Sequence, residues 1–205
     1  MRSDIIHVKS NGEGIKEALQ EAESVAAYKG LSEKNAGYLR LLTEELTGMI
    51  RSLSNVYEDV DTLFYIEDHD KKFTVTVTKK IFMTSEIREK LLAFATTGSN
   101  SAVKGIMSRI RDIFVRAMEP MDEGTVGVDV ASVIFPFEES SPMAAIYPET
   151  NLWSLTQYRE AVNNKEDNKE DMEELERSIV ANIADEVKVF IQNDQVKVVA
   201  YKDMN

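Results

Sequence analysis

The stretch that most constrains this chain is residues 62–82, TLFYIEDHDKKFTVTVTKKIF. It reads as a β-hairpin with its turn around Asp68–Lys71, where residues that tolerate tight turns cluster. The second arm alternates: Phe73, Val75 and Val77 on one side, Thr74, Thr76 and Thr78 on the other. Such alternation predicts a sheet with one face on a core and the threonine face toward water. A hairpin with one apolar face needs a second layer. Two helical patterns precede it and are expected to lie on the valine face.

The first pattern runs Ile15, Ala18, Leu19, Ala22, Val25, Ala26, with Gly30 as its stop signal. The second starts near Ser32 and reaches about Ser54. Leu39, Leu42, Leu46, Met49, Ile50 and Leu53 form its stripe, with Glu44 and Glu45 beside it. Gly48 interrupts this helix, at a cost of about 1 kcal/mol relative to alanine. A first strand is expected at Asp4–Ser10, ended by Asn11–Gly14. Downstream, residues 85–96 and 103–114 carry helical spacing around the break TTGSNS. All four prolines fall within 119–150, an irregular region with a short strand expected at VASVIF. Ser154 and Gln157 form a capping-box pattern. Met172, Leu175, Ile179, Ile183 and Val187 suggest one closing amphipathic helix, followed by a hairpin turning at Gln192–Asp194. No internal repeat is visible.

With 205 residues and 43% hydrophobic content, the chain is long enough for one substantial core, read as a single domain over 1–205. The net charge of −12 opposes nucleic acid and anionic lipid as partners. The absence of cysteine removes disulfides and thiolate chemistry and fits a cytoplasmic setting. No secretory pattern and no apolar run long enough to span a membrane are present.

The order strand, helix, helix, hairpin, irregular segment, helix, closing strands resembles the ATP-binding fold of the gyrase and histidine-kinase (GHKL) superfamily. It is most similar to the bacterial anti-sigma-factor serine kinases. The resemblance covers residues 1–117 and the last two strands, and leaves 118–184 as an insertion of loops and helices. It implies an α+β, two-layer sandwich. In that family a Glu-x-x-x-Asn motif supplies a general base and a Mg²⁺ ligand. Here Glu44 stands at the glutamate and Gly48 at the asparagine. An Asp-x-Gly motif recognises adenine, and Lys79 and Ile81 stand at its positions. Of the glycine-rich phosphate lid, Gly98 and Gly105 remain.

These departures point one way: a retained fold, with ATP and Mg²⁺ chemistry discarded and no cofactor expected. Glu44 is then a vestigial base or a solvated flank of the core stripe. Gly48 is a lost ligand or a point of close helix packing. Lys79 and Lys80 bind an anion or guard a strand end. Trp153 is a partner anchor or part of a satellite core. The acidic run 166–176 reads as a solvated helix face. The apolar pieces of 118–150 are expected to fold over the vacant lid edge, with Trp153 beside it.

The functional expectation is a catalytically degenerate regulator working through a protein partner. By resemblance that partner is a sigma factor or an anti-anti-sigma protein, with a homodimer as a further possibility. The alternatives are an active anti-sigma-type serine/threonine kinase binding MgATP, and a structural interaction domain without nucleotide.

Overall fold

A computed structural model describes residues 1–55, 60–81, 105–118, 150–164, 168–192 and 195–204. The helix expected at 85–96, the strand at VASVIF, Gly98 and the cover over the lid edge lie outside these residues.

The sheet begins with β1 (Ile6–Lys9), then runs into a turn that launches α1 (Ile15–Tyr28). A Schellman motif stops α1: the Leu31 N–H bonds the Ala26 carbonyl and the Gly30 N–H that of Ala27, with Gly30 at φ +61°. Ser32 then caps α2 (Glu33–Ser52), its hydroxyl accepting from the Asn35 N–H. The hairpin follows as β2 (Asp61–His69) and β3 (Lys72–Lys80). Asp70 and Lys71 between them both have positive φ, 50° and 68°, as a two-residue turn matched to strand twist requires.

After α3 (Ile106–Met118) come β4 (Thr150–Ser154), α4 (Leu155–Asn163), α5 (Lys169–Arg177), α6 (Ile179–Ile183), β5 (Glu186–Gln192) and β6 (Gln195–Asp203). The single closing helix expected from periodicity is instead two helices and a strand. Ser178 is extended (ψ 117°) and its hydroxyl caps α6 through the Ala181 N–H, while Val187 belongs to β5. A serine that satisfies the N–H groups of a new helix outcompetes continuation of the old one.

Among the described residues, six strands form one sheet in the order β1-β2-β3-β6-β5-β4, every pair antiparallel. The architecture is α+β. Phe64, Ile66, Val75, Val77, Val198 and Val189 share a face and a core with Ala18, Ala22 and Val25 of α1, Leu39, Leu42, Leu46 and Ile50 of α2, and Ile110 and Phe114 of α3. The two early helices therefore do cover the valine face.

The opposite face differs from expectation. Thr76 is 2% exposed and Thr78 4%. Register places Thr76 between Tyr65 and Val199, both buried, with Phe190 buried on the same face beyond them. Alternation fixes which residues share a face; it does not say that the second face is wet.

The ladder also carries a symmetry hidden from the sequence. β3 and β6 pair from Lys72↔Asp203 to Lys80↔Gln195, with Thr76↔Val199 at the midpoint. Each is the second arm of a hairpin whose last pair encloses two residues, His69↔Lys72 and Gln192↔Gln195. Arg2↔Glu67 on one side corresponds to Asn151↔Phe190 on the other. The sheet is thus two strand–helices–hairpin units related by a pseudo-dyad between Thr76 and Val199. Few residues coincide, so no repeat shows in the sequence.

Candidate functional site

The motif residues Glu44 and Gly48 lie in the second half of α2. Its inward side is fixed by Leu39, Leu42, Thr43, Leu46, Thr47, Met49 and Ile50, all buried. The two threonine hydroxyls are satisfied locally, donating to the carbonyls of Leu39 and Thr43. That leaves Glu44 and Gly48, one turn apart, on the exposed side of the helix. A Cβ built on Gly48 meets nothing within 4 Å, so close packing among the described residues is not why this glycine is there. Shifting the motif by one residue pairs Glu45 with Met49, which is 4% exposed and apolar.

Glu45, which the motif alignment passes over, is the more enclosed of the two acids. Burial, and then the charge of Glu44, raise its carboxyl above the usual range. Lys79 sits near the end of β3 on the helix-facing side, opposite Val196, half-exposed as is Ile81 beyond it. Gly105, at φ +105°, opens α3 and accepts from the Arg109 N–H. No hydrogen bond or ion pair joins Glu44, Lys79 and Gly105 to one another.

As a donor set these positions do not fit Mg²⁺ and adenine. Glycine brings no ligand atom, and an ammonium cannot accept from an adenine amino group. Among the described residues no three histidine or acidic side chains converge as a metal would require. Trp153, expected beside the vacant site, stands on β4, which β5 and β6 separate from β3. Three inter-strand spacings put those strands about 14 Å apart.

Concave and polar features lie elsewhere. A shallow groove of about 330 Å³ runs between α1 and α2, floored by Ala26, Ala27, Leu31, Ala36 and Gly37. An ion pair between Glu23 and Arg40 closes one side. In the second half, Arg109 of α3 lies over the Tyr158 ring, 4.9 Å from its centroid, and reaches Glu174 (3.5 Å) and Asp171 (3.9 Å) of α5. Burial pushes the Tyr158 hydroxyl well above its usual range; Glu174 and Asp171 add to this and Arg109 opposes it. Trp153 packs 6.0 Å from Tyr158, centroid to centroid, against the edge of the main core.

The β4–α4 junction is tied to β5 by Glu186. Its carboxylate accepts from the Ser154 hydroxyl (3.0 Å) and the Thr156 N–H (3.2 Å), so the Ser154 cap of α4 works jointly with a distant acid. The capping pattern announced Ser154, but its tie to Glu186 had no signal in the sequence, because the two lie far apart along the chain.

Among the described residues, no helix is long and apolar enough to cross a membrane. Comparison with known proteins returned no match: no family model, no curated protein and no solved structure is significantly similar to this chain.

Proposed function

We propose that this chain is a non-catalytic regulatory domain built on an ATPase-like α+β scaffold and working through a protein partner. The observation that carries the reading is the pairing of Glu44 with Gly48. They occupy one exposed stripe of α2, and the position that would hold a metal ion has no side chain. Lys79 at the adenine position adds to this, since it presents a donor where an acceptor is needed. The strand–helix–helix–hairpin order supports the scaffold, and resemblance supplies the partner class: a sigma factor or an anti-anti-sigma protein.

Isothermal titration with MgATP is the test. Affinity no tighter than millimolar, about 4 kcal/mol of binding at 1 mM, is expected. A micromolar dissociation constant would replace this reading with an active serine/threonine kinase. Titration of a purified sigma factor or anti-anti-sigma protein separates a regulator, which binds one, from a structural domain, which binds neither.

A further inference from the structure

Helix α5 is docked differently from the other long helices. It spans nine residues, of which five are acidic: Glu170, Asp171, Glu173, Glu174 and Glu176. None of the nine is buried, whereas α2 buries seven residues and α3 five. A nine-residue helix has little stability in water by itself, so docking must hold it. Leu175 gives it a partly buried apolar contact. Among its polar contacts are Arg109 Nε to Glu174 at 3.5 Å, Arg109 Nη2 to Asp171 at 3.9 Å, and the Tyr158 hydroxyl to Asp171 at 3.5 Å. These three are long for their kind. The Arg109 Nε and Glu174 Oε1 atoms are themselves buried and neither makes a hydrogen bond, so this charge pair is desolvated without being satisfied.

The ends are tied to neighbouring turns. Asn168 donates to the Val162 carbonyl and Asn182 to that of Glu176, so the helix can leave and return without losing its place.

We propose that α5 is a charge-latched flap. It undocks from α3 and α4 as a unit, uncovering Tyr158, while the sheet and the α1–α2 layer stay folded. Arg109 is the latch and Leu175 the apolar contact that returns the helix. Opening presents the Tyr158 ring, next to Trp153, as an aromatic surface on this half of the molecule.

Hydrogen exchange on the full chain tests this, comparing amides of 169–177 with those of 61–80. In the unaltered protein the flap amides should exchange faster than the sheet amides, through an opening that leaves the sheet intact. Arg109→Gln should speed flap exchange about tenfold or more with the sheet unchanged, the scale of a broken buried ion pair. Raising KCl from 0.05 to 1 M should move the unaltered protein the same way by less. Glu174→Gln, which keeps the shape of the side chain, should reproduce the effect and stands in if Arg109→Gln fails to fold. The fluorescence of Trp153, the chain's single tryptophan, should shift with the flap and not with the sheet. Exchange of the flap in step with the sheet, equal acceleration of both by the substitutions, or a flap indifferent to salt would each overturn the latch.

Discussion

The two halves of the sheet share a wiring diagram and differ in what their helices do. In the first, β1, α1, α2, β2 and β3 place eleven buried residues from two helices on the valine face. In the second, β4, α4, α5, α6, β5 and β6 repeat the strand pairing, yet α4 buries two residues, α5 none and α6 three. The same hairpin geometry thus supports a hydrophobic layer on one side and a layer tied by charges and caps on the other. Area burial is non-directional and hard to undo locally. Ion pairs and capping bonds are directional and respond to salt and pH. Among the described helices of the two units, most of the apolar burial falls in the first half, and the second is where a response can be built.

The strongest way to break the first half is at the entrance to α1. Gly14 sits at φ +83°, and a Cβ there would fall 1.8 Å from the His7 carbonyl oxygen. The turn is pinned by the Lys9 N–H to the Glu13 carbonyl and the Ser10 N–H to that of Val60, so it cannot give way. Gly14→Ala is expected to cost about 3 kcal/mol or more in urea unfolding.

Next in size is a direct comparison of helices. Leu46, at 0% exposure, should cost about 2–5 kcal/mol when cut to alanine. Leu175→Ala in α5 should cost no more than about 1 kcal/mol, because its side chain is only partly buried. Equal costs would erase the distinction between the halves.

Acid titration sharpens the contrast with a smaller effect. Burial disfavours ionised Glu186, but hydrogen bonds from Thr156, Ser154 and the Val187 N–H outweigh it and hold the carboxyl below its usual range. At Asp185 burial likewise opposes ionisation, and the Asp203 N–H and Lys202 outweigh it. A depressed folded-state pKa contributes stability that is complete above the unfolded value, about 4, and is lost as pH falls through the folded one. Glu186→Gln should therefore lower the melting temperature at pH 7 and have little effect near pH 3. A melting-temperature difference that persists at pH 3 would show that the carboxylate's charge is not what matters.

These contrasts also mark what the sequence made legible. Period-3.6 and period-2 patterns locate α1, α2 and the β2–β3 hairpin, because burial repeats along a single element. Ser32 and Ser154 announce their caps for the same local reason. The pairing of β6 with β3, the burial of Thr76 and Thr78, the break at Ser178 and the Glu186 tie depend on residues distant in sequence. At the candidate site the residue types at 44, 48 and 79 could be read. Their exposure could not: close helix packing is one of the two readings of Gly48, and the residue stands in the open.

That position gives the smallest predicted effect and the only stabilising one. Gly48 lies inside α2 with helical neighbours on both sides, and nothing described is near its missing side chain. Alanine there loses no contact, needs no shift of a neighbour and limits the unfolded chain. Gly48→Ala should therefore raise stability by about 0.5–1 kcal/mol, opposite in sign to Gly14→Ala though the chemical change is identical. Paired urea titrations measure both. If Gly48→Ala stabilises the domain and leaves partner binding intact, the glycine serves neither packing nor recognition, as expected of a position that no longer holds a ligand. If it stabilises the domain but weakens partner binding, the exposed Glu44–Gly48 stripe is itself the recognition surface, approached so closely that one methyl group is in the way. Destabilisation would mean that a neighbour does crowd residue 48, and would return close packing as the reason for the glycine.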